Sequence, residues 1–238
     1  AGREGPIALI GASAGSAIGK AIRLSARDVK VLTCCGVAAG IAATFNAPMG
    51  GAIFSMEVIS KKFTSLDAVP ILLAAVVGKA VASELINPVP EFVNPNFYFT
   101  TFDMVLCFFI GPLFGFLSFL WVKGYYLFED RFHDLPLPDI LKPAVGGLTA
   151  GVCGIFFLEF GIMGVGYEGI NNVFMLAARA PATNLLLLFL ALGFLKILAT
   201  ASTVGSGGSG GVFAPTLYIG TMFGLAAGML AEILAPDL

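Results

Sequence analysis

Apolar runs separated by short polar or glycine/proline links dominate this chain, and their spacing predicts helices rather than strands. The pattern predicts helices over 5–22, 29–44, 48–63 and 66–86, then over 101–128, 140–162, 169–179, 183–203 and 213–234. The stops are plain in the sequence: the polar stretch Arg23 to Lys30, Asn46-Ala47-Pro48, a Gly/Tyr-rich break at 164–169, and the Gly/Ser run 205–211. The strongest link signal is the Pro/Asn-rich stretch from Asn87 to Asn96. Several of these helices are shorter than the ~20 residues one membrane crossing needs. Short and broken apolar helices are expected where irregular backbone lines a cavity enclosed by protein, because lipid satisfies no bare N–H or C=O.

One pattern occurs twice. Gly2-Arg-Glu-Gly-Pro6 is followed by Gly11, Gly15 and Gly19, and Gly211-Val-Phe-Ala-Pro215 is followed by Gly220, Gly224 and Gly228. Both copies read G-x-x-x-P-x4-G-x3-G-x3-G, which points to an internal repeat. Each opens with Gly and Pro, permitting an irregular backbone and then a helix start with Pro near its first position. Each continues with a small residue at every fourth place, the spacing that lets membrane helices approach closely. Paired Gly/Pro-interrupted segments in two halves of a chain point to an ion site at membrane mid-depth. The expected architecture is an all-α polytopic membrane protein with inverted-topology repeats: residues 1–88 the second part of a first repeat, 89–100 a linker, 101–238 most of a second repeat.

Composition agrees and excludes other classes. The chain is 58% hydrophobic and 12% charged with a mean hydropathy of +0.93, whereas soluble domains carry about 25% charged residues. A net charge of −2 without a basic run argues against nucleic acid. Cys34, Cys35, Cys107 and Cys153 lie in apolar stretches without metal-ligand spacing and are expected to be buried thiols. His133 is the only histidine and sits in a polar stretch, so no metal centre is expected. There is no Ser/His/Asp set and no carboxylate pair at helical spacing within the apolar segments, so no catalytic residues, enzyme activity or cofactor are expected. Trp121, Tyr125 and Tyr126 read as interfacial anchors. No signal peptide is visible, and the chain opens on a motif suited to the middle of a membrane, so it is expected to be part of a longer polypeptide.

Glu4 is the sharpest single residue. A carboxylate at a helix start is stabilised by the partial positive charge there, and the same position would bind a free anion. Glu4 thus reads as a tethered competitor for an anion site, with an N-capping carboxylate as the structural alternative. The second copy has Phe213 at that place. The preceding Gly/Ser run could turn its N–H groups to a ligand; no Gly-Lys-Ser/Thr follows, which argues against a nucleotide. Lys196, inside an apolar helix, could add positive potential near an ion path, could snorkel to an interface or could pair with a carboxylate.

These motifs carry a resemblance. Gly2-Arg-Glu-Gly-Pro6 resembles the G-K/R-E-G-P motif of the CLC family of chloride channels and anion/proton antiporters, and Gly211-Val-Phe-Ala-Pro215 resembles its G-x-F-x-P motif. Asn46-Ala-Pro-Met-Gly-Gly-Ala-Ile-Phe-Ser-Met-Glu57-Val58 resembles the stretch after its gating helix. The resemblance implies chloride transport through a multi-pass pore in a lipid bilayer, in a homodimer with one pore per subunit, in the plasma membrane of a prokaryote. It makes Glu4 the gate, assigns the central anion to the amides at Gly211, Val212 and Phe213, and assigns the external anion to those around Arg3, Glu4 and Gly5. The family's internal proton-relay glutamate falls at Val58, which carries no proton, so channel-like conduction is expected ahead of chloride/proton antiport. Glu57 could substitute, but in an α-helix it points about 100° away.

Overall fold

A computed structural model of the chain describes residue 2 and residues 4–61, 64–86, 101–179 and 181–234. Arg3 and the link 87–100 lie outside the described residues. Among those described the structure is helical: α1 (Glu4–Ala21), α2 (Ala26–Phe45), α3 (Pro48–Phe54), α4 (Ser65–Ile86), α5 (Thr101–His133), α6 (Lys142–Ile155), α7 (Tyr167–Ala177), α8 (Ala182–Gly205) and α9 (Phe213–Leu234). Five of them, α2, α4, α5, α8 and α9, are long and apolar enough to cross a membrane. The chain divides into two compact units, residues 3–91 and residues 92–238 with residues 1–2.

In the unit of residues 3–91, α2 is central. Ser25 caps its start by accepting from the Asp28 N–H at 3.2 Å, and Asn46 ends it in a left-handed conformation (φ 53°), its N–H donating to the Ala42 carbonyl. α1 packs on α2 through glycine. A methyl group built on Gly36 would lie 2.6 Å from the carbonyl carbon of Gly11, so only glycine admits this backbone approach. On the other side, Gly78 of α4 meets Ala39 of α2, where an added methyl would lie 2.8 Å from the alanine's Cβ. Cys34, Cys35, Ala38, Ala42, Ala52, Met56, Ile71 and Ala75 form the core. The expected helix 48–63 is instead α3 followed by a π-helical turn over Ser55–Ser60, closed by Lys61 at φ 55°. Ser55, fully buried, donates to the Cys34 carbonyl at 2.7 Å across to α2.

In the larger unit, α8 packs against α5, α6 and α9. Trp121 is not an interfacial anchor: it is buried with Ala201, Ile219 and Phe223, because α5 lies along the α8–α9 pair at that level. Tyr126 is exposed. Of the four thiols, Cys34 and Cys35 are buried as expected, whereas Cys107 points outward from α5 and Cys153 is half-buried. α5 runs 33 residues through Pro112 without a break. At its end Lys142 folds back, donating to the His133 carbonyl at 2.9 Å and pairing with Asp139 at 2.9 Å. That hydrogen bond and charge hold the exposed Asp139 carboxyl below the usual carboxylate range. α6 stops at Ile155, short of the expected 162. The chain there makes a single 3₁₀ turn over Leu158–Phe160 and then turns on Gly161, Gly164 and Gly166, all at positive φ (68°, 73° and 101°).

The second set of repeat glycines departs from expectation. Methyl groups on Gly220, Gly224 and Gly228 would have nothing within 4 Å. Among the described residues the spacing shared by the two copies serves a tight helix crossing in α1 and none in α9.

Candidate anion site

The two glycine–proline motifs start helices in the same way. α1 begins at Glu4 with Pro6 in its third position, and α9 begins at Phe213 with Pro215 in its third position. Proline fits the first turn because N–H groups there have no intrahelical acceptor. At α9 the main-chain N–H groups nearest the helix start are those of Val212, Phe213 and Ala214, and the Thr216 N–H donates to the Val212 carbonyl at 3.0 Å. No acid stands in the first turn of α9, whereas α1 carries Glu4 there. Glu4 is only 3% exposed. Gly5 beside it is exposed, with nothing within 4 Å of a built methyl.

The leading glycines of the two motifs meet. The Gly2 N–H donates to the Gly211 carbonyl at 2.7 Å and the Gly211 N–H donates to the Gly2 carbonyl at 2.9 Å. They form an isolated antiparallel bridge. A methyl on Gly211 would sit 3.2 Å from the Gly2 oxygen, so the pairing leaves little room for a side chain. Glu4 follows Gly2 by two residues and Phe213 follows Gly211 by two.

Part of the Gly/Ser run before α9 closes the preceding helix. The Gly207 N–H donates to the Val204 carbonyl and the Gly208 N–H to the Thr203 carbonyl, both at 3.0 Å, with Gly207 left-handed at φ 87°. This is a Schellman cap that closes α8. With the Gly211 N–H on Gly2, these three donors of the run are spent on structure.

The relay position falls in the π-helical turn. Val58 and Glu57 both face outward there, Val58 48% exposed. A π turn holds more residues per turn than an α turn, so the step between neighbours falls below 100° and the two side chains diverge less than the α-helical expectation.

Lys196 was ambiguous in sequence and is not at an interface. It is 1% exposed, and its ammonium donates to the carbonyls of Gly161 (2.8 Å), Ile162 (3.0 Å) and Gly164 (3.1 Å). It lies 4.9 Å from the centre of the Tyr218 ring, and the Tyr218 hydroxyl donates to the Phe160 carbonyl at 2.6 Å. A lysine amid apolar residues was the signal for this cluster, but its carbonyl partners come from a segment 32–35 residues away and leave no local trace.

Comparison with known proteins places the family. The whole chain, residues 1–238, matches the sequence profile of the voltage-gated chloride channel family. The chain belongs to this family. An H(+)/Cl(−) exchange transporter ClcA of Vibrio vulnificus is 32% identical over 100% of the chain and 51% of its own length. The chloride channel protein CLC-f of Arabidopsis thaliana is 30% identical over 98% of the chain and 31% of its own length. The chain spans about half the length of the first curated bacterial relatives it matches. In fold, it superposes on a slow cyanobacterial Cl−/H+ antiporter with a TM-score of 0.76 at 24% identity, covering 100% of this chain and 55% of the other. Membership makes the chain part of an integral, multi-pass membrane protein of the CLC family of anion transporters and channels, as the motifs led us to expect.

Proposed function

We propose that the chain contributes to a chloride path in which main-chain donors at Val212 and Phe213 bind the ion and Glu4 is the gating carboxylate. The observation that carries this reading is the reciprocal pairing of Gly2 with Gly211, which ties together the leading residues of the two motifs. Glu4, buried at the start of α1, then supplies a negative charge that competes with chloride for positive helix-start potential. Gly5 and the amide of Arg3 take part in the outer anion position, and Gly211 shapes the inner one.

The mode of transport we favour is chloride/proton exchange. The relatives named as exchange transporters and the antiporter that shares the fold support it. Glu57, the carboxylate next to the relay position, carries the internal proton step in this reading. Passive conduction is the second reading, favoured by one specific observation: Val58, which takes no proton, stands where the relay glutamate is expected. The protein acts as a homodimer in the plasma membrane of a prokaryote.

The test uses the full-length protein in liposomes under an imposed chloride gradient, with internal pH followed by a dye. Exchange drives protons against their own gradient at a fixed ratio to chloride. Chloride flux with no linked proton movement replaces exchange with the passive reading. No chloride flux from folded protein removes the proposal altogether.

A further inference from the structure

The ammonium of Lys196 is a cation without a carboxylate. Among the described residues it forms no ion pair; it is met by three main-chain carbonyls and the face of Tyr218. A buried unpaired charge is costly, so a segment built to hold one calls for an explanation beyond packing. The holder is elaborate. Gly161, Gly164 and Gly166 all adopt positive φ, which lets the carbonyls of residues 161, 162 and 164 converge on one point. A methyl on Gly166 would lie 3.0 Å from the Tyr218 ring and 3.1 Å from the Lys196 nitrogen, so the segment lies tight against both.

The place of this charge is set by Tyr218. Tyr218 follows Phe213, the first residue of α9, by five positions, or about 7.5 Å of helix rise. Side chains on a helix lean toward its N-terminus, which brings the ring, and the ammonium over it, back toward the helix start. The rise from Phe213 to Tyr218, the reach of the ring and its 4.9 Å separation from the ammonium together place the positive charge within about 17 Å of the first residue of α9, and it is buried.

We propose that Lys196 is a positioning residue for the transported anion: a fixed, buried positive charge that raises chloride affinity at the start of α9. This rests on the anion-transport reading above. A unit charge about 12–17 Å away, at an effective dielectric constant of about 20, changes anion affinity about five- to tenfold, and the three carbonyl dipoles offset part of that. The expected effect of removing the charge is thus a loss of about three- to tenfold.

The experiment measures chloride flux against chloride concentration for the full-length protein in liposomes. Lys196→Met and Lys196→Gln remove the charge and keep much of the side-chain length. Either should raise the chloride concentration for half-maximal flux by about three- to tenfold, with a smaller change in maximal flux. Lys196→Arg keeps the charge and should stay within about twofold of wild type, although it fits the carbonyl pocket poorly. Tyr218→Phe keeps the ring beneath the ammonium but loses the bond to the Phe160 carbonyl. It should lower thermal stability and leave the half-maximal concentration unchanged. Unchanged chloride dependence in a folded neutral variant overturns the proposal. So does a loss of affinity of about three- to tenfold in Tyr218→Phe, because affinity would then follow the order of the segment and not the charge; this arm decides if the neutral variants fail to fold. Absence of chloride flux in the wild type would instead strike the anion-transport reading itself.

Discussion

Two glycines that look alike in sequence should respond to alanine with opposite signs. Gly36 lies where α1 crosses α2, and a methyl there would come within 2.6 Å of the Gly11 carbonyl carbon. Ordinary contact needs about 1 Å more, and neither side can give cheaply, because the obstacle is helix backbone and not a side-chain tip. Overpacking of this kind costs about 1–3 kcal/mol, and at a backbone-to-backbone contact the upper half of that range applies. Against it stands the better helix propensity of alanine, worth about 1 kcal/mol. The net for Gly36→Ala is a loss of about 1–2 kcal/mol. At Gly220 of α9 nothing lies within 4 Å of the added methyl, so only the propensity term acts. Gly220→Ala should gain about 0.5–1 kcal/mol. The two variants should therefore differ by about 1.5–3 kcal/mol, or about 3–12 °C in apparent melting temperature for a chain of this size. Thermal unfolding in detergent, followed by circular dichroism at one scan rate, measures the difference. Equal shifts in the two variants, or a more stable Gly36→Ala, would refute the claim that the repeat spacing serves close packing only in the first copy.

Two further outcomes are expected. Glu4→Gln keeps the shape of the side chain and removes its charge, so chloride efflux from liposomes should rise toward the open level and lose its pH response. If Glu4 is only a helix cap, the variant costs about 0.5–1 kcal/mol of stability and efflux keeps its pH dependence. Asp139 is held below its ordinary range by Lys142, so its ionised form favours the folded state. That contribution is present above the ordinary value of about 3.9 and is lost as pH falls through the lower folded value. Melting temperatures of wild type and Asp139→Asn should accordingly differ at pH 7 and converge near pH 2; a gap that persists at low pH contradicts the assignment.

The helices were legible where the chain punctuates itself. The span 213–234 agrees with α9 residue for residue, because Gly-x-x-x-Pro announces its start. α2 ends where Asn46 and Pro48 say it should. The expectation failed where the stop is made by contacts distant in sequence. The π-helical turn over 55–60 accompanies the bond from Ser55 to the Cys34 carbonyl on α2, a partner 21 positions away. The early end of α6 comes with a turn that carries no proline, only glycines folded around the ammonium of Lys196. At the candidate site, Glu4 and Phe213 stood out as a charge and a gap in matched motifs. The cap made by the Gly/Ser run was not legible, because a run of flexible N–H donors reads alike whether it serves a ligand or the end of the preceding helix. Trp121 misled for a related reason: an aromatic near a helix end suits a membrane interface and a helix–helix core equally well, and only the packing of α5 on α8 and α9 decides.

The length of α5 has a consequence for the membrane around it. Thirty-three helical residues extend about 50 Å, and the apolar stretch 101–128 alone extends about 42 Å. The hydrocarbon layer is about 30 Å thick, so an upright α5 would carry some 12 Å of greasy surface out among the headgroups and water. A lean hides that surface, and the amount of lean needed changes with the lipids: short acyl chains demand more, long ones less. Because α5 is packed on α8, a change of lean loads their contact sideways. Acyl-chain length in the host bilayer is thereby a mechanical input to the helix that carries Lys196.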